Sequence, residues 1–448
     1  MSLGALALLA QLAAGAGQPV APVLAFPEPG LDDTAAYQGY RTRLFRDAAG
    51  NTVQVYVEGR AGRVVHLLAD AENASIGLTA QDGRGRPVAV RWDGPGAEVA
   101  RGGPGGRTRT LAHPVVVDAP TVRLGGFVLG TMRVERDYQH ARAHERPLGA
   151  TAHVVPELAR LAAGMARLQP TERRRQLALL GAPDLATLEA RLRPTVTLLP
   201  AGGGARVVQP SLDGRDTLAV ELLVDAARVT VSASGDGVTL GARDGASVPL
   251  TVRIATTGPT LTPLAREEIF TPAFLAFLAR ERAAGEAPDA PAPVRAAARR
   301  LERQARGVEL LVSREKLMAG LPTYATYFGR DMLVTALMMR PIWRPEMSEF
   351  AIAAALRKLE PTTAEVSHEE ALGAQASREA AAEWVALIEA QGAARRRGAP
   401  RAADSLLARS RAVLAAHRRP RENYHMVDDE FQLPVLVARW ITDSTVSA

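Results

Sequence analysis

Leu321-Pro-Thr-Tyr-Ala-Thr-Tyr-Phe-Gly-Arg-Asp331 runs straight into Met332-Leu-Val-Thr-Ala-Leu-Met-Met339. A loop rich in aromatic residues leads to Gly, Arg and Asp, and then to an apolar helix. Gly329 permits a close backbone approach. Arg330 supplies a rigid fork of donors. Asp331 stands where a helix N-cap would stand. It also stands where a carboxylate could accept hydrogen bonds from vicinal hydroxyls. Tyr324 and Phe328 offer ring faces beside that charged pair. Ring faces for CH groups and charged groups for hydroxyls are what a sugar subsite needs. On their own the same residues fit a plain capped helix more readily, with Arg330 as the surface partner of Asp331, since N-cap aspartates are common.

The chain changes character on the way to this stretch. From about residue 35 to 135 it reads as short strands: Arg43–Arg46, Thr52–Val57, Arg63–Leu68, Pro114–Val117 and Thr121–Val134. Turn clusters at Asp47–Asn51 and Glu58–Gly62 separate the first three, as in hairpins of an antiparallel sheet. Gly94–Gly106 is rich in Gly and Pro and predicts a loop. Over residues 151–193 the period becomes helical, with Leu158, Leu161, Met165 and Leu168 on one face. Strands return at Leu218–Val224, Val229–Ser232, Val238–Ala242 and Val248–Thr256, with a hairpin turn at Gly235-Asp-Gly237. The pattern predicts a β-sandwich domain over residues 25–262, with a helical insertion at 151–193.

From residue 263 to 448 the reading is helical. Helices are expected at Arg266–Arg282, Val294–Arg306, Asp331–Met339, Glu346–Leu359, Arg378–Gln391, Ala402–His417 and Asp429–Ile441. Ala283–Pro293 reads as a linker. The fold class expected is therefore α+β and multidomain.

Bulk properties bound the function. A length of 448 residues allows two or three domains. Hydrophobic residues at 47% and charged residues at 23% fit a globular protein with a sizeable core. Absence of cysteine excludes disulfides, thiolate metal sites and cysteine catalysis. The net charge of +6 comes from scattered arginines, with one cluster from Arg395 to Arg419. That cluster could bind an acidic polymer. It reads more readily as a solvated helix face plus a loop, and no aromatic residues interleave with it for base stacking. No nucleic-acid partner is expected. No His or carboxylate spacing indicates a metal, and no cofactor is expected. Residues 1–24 form a possible signal peptide and leader, with an apolar run from Leu3 to Ala16 that lacks a positive n-region. The expected location is periplasmic or secreted, and otherwise cytoplasmic. No other segment is apolar enough to enter a membrane.

The quoted stretch resembles a loop of bacterial amylo-α-1,6-glucosidases and glycogen-debranching proteins, within the glucoamylase-like six-hairpin glycosidases. Their loop reads like Pro-Trp-Phe-Ser-Thr-Pro-Phe-Gly-Arg-Asp before an apolar helix. Pro322, Tyr324, Thr326, Phe328, Gly329, Arg330 and Asp331 fall on that pattern, and Gly307–Val312 with Ala319-Gly320 looks like its lead-in. Thr323 stands where the family has Trp, and Tyr327 where it has the second Pro, which removes a stacking platform. The resemblance implies that residues 263–448 form part of an (α/α)6 toroid, preceded by the β-sandwich. It also implies that Arg330 and Asp331 bind the sugar at the cleaved position.

A second stretch, Tyr424-His-Met-Val-Asp-Asp-Glu-Phe-Gln-Leu433, looks like the family segment that carries the general acid. Val427 and Asp428 fall on its Val-Asp. Three adjacent carboxylates, Asp428, Asp429 and Glu430, repel one another, which raises at least one pKa. A raised carboxyl pKa suits an acid that protonates a glycosidic oxygen. The same run also suits an acidic helix N-terminus. Asp429 is placed with the sugar-contacting residues. A third stretch, Val366–Gly373, resembles a His-Glu loop of debranching-type sequences, so His368 and Glu369 are expected to line the cleft, although a lone His can also be structural.

In the family the catalytic base lies well C-terminal to the acid, which places it beyond residue 448. The expectation is thus a glycoside hydrolase-like protein acting on α-glucan or related oligosaccharide, of inverting exo or debranching type. Its toroid is incomplete, the chain reads as truncated, and alone it is expected to be nearly inactive. The alternative is a non-catalytic carbohydrate-binding or cell-envelope protein.

Overall fold

The computed structural model describes residues 19–443 except 48, 70–73, 95–96, 101–107, 132–155, 235–236 and 322–323. Among the sequence expectations, the leader up to residue 18, Pro322, Thr323, the turn at 235–236 and the end of the strand at 132–134 lie outside the described residues.

The N-terminal part is built of antiparallel strands: β1 Pro19–Val20, β2 Leu24–Phe26, β3 Tyr40–Arg46, β4 Thr52–Glu58, β5 Arg63–Ala69, β6 Ala74–Gln81, β7 Val90–Trp92, β8 Ala97–Ala100, β9 Arg109–Val117 and β10 Thr121–Thr131. After the helical insertion come β11 Thr195–Leu198, β12 Gly204–Pro210, β13 Thr217–Leu223, β14 Val229–Ser234, β15 Gly237–Ala242 and β16 Val248–Thr256. They form two eight-stranded sheets. One runs β1-β8-β9-β16-β13-β12-β11 with β7 also on β9, and the other runs β14-β15-β10-β6-β5-β4-β3-β2.

Side chains alternate across a strand, so every second residue faces the partner sheet. Val53, Val55 and Val57 of β4, Ile76 and Leu78 of β6, and Val248, Leu250, Val252 and Ile254 of β16 fill the space between the sheets. Ala97–Ala100 is a strand inside the stretch expected to be a loop. Its pairing with β9, Glu98↔Ala112 to Ala100↔Thr110, fixes it despite the flanking glycines.

The insertion comprises α1 Pro156–Arg167, α2 Pro170–Leu179 and α3 Leu185–Arg191. Beyond β16 follow α4 Arg266–Ile269, α5 Pro272–Glu286, α6 Ala292–Leu311, the strands β17 Met318–Gly320 and β18 Tyr324–Tyr327, α7 Gly329–Met339 and α8 Pro345–Leu356. Then come β19 Glu369–Ala371, α9 Gly373–Arg396, α10 Pro400–Ala415, β20 Arg421–Asn423 and α11 Asp428–Ile441. An antiparallel β region followed by a largely helical one is the fold class read from the sequence. The helices form an open array of hairpins, α5–α6, α7–α8 and α9–α10, with α11 against α7 and α8.

The expected helix Arg266–Arg282 is two helices. Thr271 caps the second, its side chain accepting from the Phe274 amide, and Pro272 follows at the first helical position. Proline has no N–H to continue α4, so the chain restarts there. The expected linker is shorter than read, because Gly285 is buried against Ala298 and α5 runs on to Glu286.

Two interfaces tie the regions together. The outer face of the second sheet, at Leu24, Leu44, Tyr56 and Leu67, is covered by Leu310, Met318 and Ala325 of α6 and the β17–β18 hairpin. Thr52 Oγ1 donates to the Leu310 carbonyl at 2.6 Å across this seam. The insertion packs on α9 and α10 around Trp384, whose Nε1 donates to Gln176 Oε1 at 2.6 Å. Gly164 allows that approach, since a Cβ there would lie 2.7 Å from the Trp384 ring.

The Arg395–Arg419 cluster is divided by this packing. Arg395, Arg396 and Arg397 are exposed, whereas Arg411 pairs with Glu172 at 2.7 Å and Arg418 with Asp213 at 2.9 Å. Among the described residues no helix is long and apolar enough to cross a membrane.

Candidate functional site at the N-termini of two helices

The β17–β18 hairpin delivers the chain to α7. Phe328 bridges to Glu369 as a short extension of β18, and the Gly329 amide donates to the His368 carbonyl at 2.8 Å. The helix therefore starts at Gly329, with Phe328 at the cap position. Asp331 lies in the first turn and is not the N-cap. The glycine is required by crowding: a Cβ at 329 would lie 2.5 Å from the Ser367 carbonyl oxygen and 2.6 Å from Asp429 Oδ1.

α11 starts at Asp428 and buries Leu433 and Leu436 against Met332, Leu333 and Ala336 of α7. This packing sets the two helix N-termini side by side. Arg330 Nη1 lies 3.7 Å from Asp428 Oδ2, and Arg330 Nη2 lies 3.5 Å from Asp331 Oδ2. The three side chains are each about two-fifths exposed, at 42%, 42% and 40%. Such open ion pairs contribute little to stability. Beside them Tyr324 is 51% exposed and meets Phe328 edge-on, with centroids 5.5 Å apart. Phe328 meets the His368 ring edge-on at 5.6 Å.

His368 is held by the β19–β20 ribbon, its amide donating to the Asn423 carbonyl at 2.8 Å. Its Nδ1 lies 3.1 Å from Asp429 Oδ2. Asp429 is fully buried, and its Oδ1 has no hydrogen-bond partner. Burial pushes the Asp429 carboxyl above its usual range; the His368 contact opposes this, and Asp428 and Glu430 add to it. Asp429 is thus held toward its neutral form. Glu369 lies on the ribbon, with Asn423 Nδ2 3.4 Å from its Oε2. The residues chosen from the sequence, Tyr324, Phe328, Arg330, Asp331, His368, Glu369, Asp428 and Asp429, therefore come from separate segments into one neighbourhood.

A network beneath the ribbon was not anticipated. Glu370 is buried, and its Oε1 accepts from Lys316 Nζ at 2.9 Å; Lys358 Nζ reaches its other oxygen and also Glu422 Oε1 at 2.9 Å. Ser367 Oγ donates to Glu422 Oε2 at 2.5 Å. Burial alone would raise the Glu370 carboxyl, but the two lysines outweigh it and hold it at about 2. Tyr327 is buried over this network, and burial with the nearby Asp429, Glu422 and Glu370 keeps its phenol well above the usual range. The sequence does carry a signal for this: its 54 basic residues include only two lysines, Lys316 and Lys358, and both are here. A compact ammonium fits a closed site that a planar guanidinium does not.

Among the described residues no group of three or more His, Asp or Glu is placed to hold a metal ion. The chain matches no protein-family model and no curated protein.

Proposed function

We propose that this neighbourhood is a sugar subsite, and that the protein is glycoside hydrolase-like and acts on α-glucan or related oligosaccharide. The observation that carries the proposal is the convergence of Arg330 and Asp331 on one helix with Asp428 on another, beside the exposed ring of Tyr324. Arg330 donates to sugar oxygens and Asp331 accepts from vicinal hydroxyls, while the Tyr324 ring covers a CH face. The resemblance to the debranching-type glycosidases supports the same roles and makes Asp428 the general acid. Arg330 orients Asp428 toward the sugar. The buried Asp429 and His368 hold the start of α11 against the ribbon, which fixes where Asp428 projects.

Hydrolysis with inversion needs a base on the opposite face of the sugar. Asp331 and Asp428 both pair with one guanidinium and so lie on one side of the subsite. That arrangement also suits the second reading, a non-catalytic carbohydrate binder. Turnover of maltose- and isomaltose-type substrates separates the two. The enzyme reading predicts hydrolysis that collapses in Asp428→Asn; binding without turnover supports the binder. Turnover unchanged in Asp428→Asn would remove the acid role.

A further inference from the structure

Helix α11 is apolar on two faces. Leu433 and Leu436 of one face are buried against α7. The opposite face carries Val427, Phe431, Pro434, Val435, Ala438 and Ile441, all of them exposed. Their spacing at three, four and seven residues makes one stripe along the helix. A helix that is apolar all round is normally covered on every side. Here Phe431 is 71% exposed, and nothing among the described residues covers the stripe. Contiguous apolar surface of this kind marks an interaction site. The charges beside the stripe say what fits it. Asp428 lies in the first turn and Arg439 in the last. They are separated by about three turns and so lie on the same flank of the stripe. Asp428 stays part-exposed beside Arg330. Arg439 is exposed and makes no ion pair among the described residues.

We propose that this face docks a second copy of the chain, α11 against α11, in a two-fold dimer. Two copies of α11 related by a two-fold axis run antiparallel, so each flank meets the same flank reversed. Asp428 of each copy then faces Arg439 of the other, at both ends of the contact. Phe431 and Val435 meet at its centre. A parallel pairing would instead set like charges together. The stripe is thus self-complementary in charge as well as apolar, and the contact closes at two copies. One helix face is smaller than the roughly 800 Å² per partner of a stable complex, so the dimer is expected to dissociate in the micromolar range. The inference is independent of the sugar reading.

Sedimentation velocity of the chain from about 1 to about 100 μM tests it. A shift from monomer to dimer with rising concentration is expected, with no larger species. Phe431→Glu is expected to stay monomeric throughout, with the melting temperature of the parent, because the residue it replaces faces solvent in the monomer. Asp428→Arg and Arg439→Asp are each expected to weaken the dimer about tenfold. The double variant, with both charges reversed, is expected to recover it. A chain that is monomeric at every concentration would overturn the proposal and leave the stripe to a different partner. Open-ended assembly, a dimer unchanged in Phe431→Glu, or a double variant no tighter than the single ones would overturn it as well.

Discussion

Gly329 shows how one residue decides the geometry of the site. It lies between the Ser367 carbonyl and the buried Asp429 carboxyl, and there is no room for a methyl group. Gly329→Ala should improve helix propensity and still destabilise the protein, by about 1–3 kcal/mol from overpacking. Chemical denaturation checks this, and a gain in stability would mean that α7 and the ribbon can move apart. That Arg330, Asp331, His368 and Asp428 lie near one another is foreshadowed by the short motifs in which they stand. Which member of Asp428, Asp429 and Glu430 is buried was not legible. Helix phase alone leaves it open, and only the packing of α11 on α7 settles it.

At the scale of elements, the β19–β20 ribbon is the support on which His368 sits. Its anchor is Glu370 between two lysines. Removing one member of a buried ionic group strands the others, so Glu370→Gln should cost about 3–5 kcal/mol. Lys316→Arg should also destabilise, because the fork needs space and acceptors that the site lacks. Thermal denaturation of both variants is the check, and a melting temperature unchanged in Glu370→Gln would rule out this anchor. The folded Glu370 carboxyl is held at about 2, below its ordinary 4.5. The stabilisation is therefore fully present above pH 4.5 and is lost as the pH falls toward 2. Strands rich in β-branched residues, such as β4, β5 and β16, were readable from alternation. β6 was missed, since Ala74-Ser-Ile-Gly-Leu-Thr-Ala-Gln81 has weak intrinsic strand preference and is fixed by pairing with β5 and β10.

For the whole molecule, long-range packing supplies what local patterns could not. The helical insertion was readable, but not that Trp384 of α9 would bury itself against it. Trp384→Ala should cost about 3–5 kcal/mol through the cavity and the lost Gln176 contact, measured by denaturant unfolding. The sandwich interior holds a second long-range contact, His66 Nε2 at 3.3 Å from His113 Nδ1. Burial keeps both imidazoles neutral, His66 down to about 3 and His113 well below its ordinary 6.5. Between those values the unfolded chain binds protons that the folded chain does not. Stability should therefore fall as the pH drops below 6.5, by up to about 1.4 kcal/mol per pH unit for each histidine. His66→Leu should flatten that slope; a slope unchanged in the variant would contradict it.

In the proposed function, two distant segments of the chain meet to hold a sugar at Arg330. Calorimetric titration of the chain with a maltooligosaccharide checks this, against Arg330→Ala and a surface control, Arg344→Ala. Saturable binding is expected in the parent and the control, and its loss in Arg330→Ala without a drop in melting temperature. Binding that survives in Arg330→Ala, or none in the parent, would contradict it.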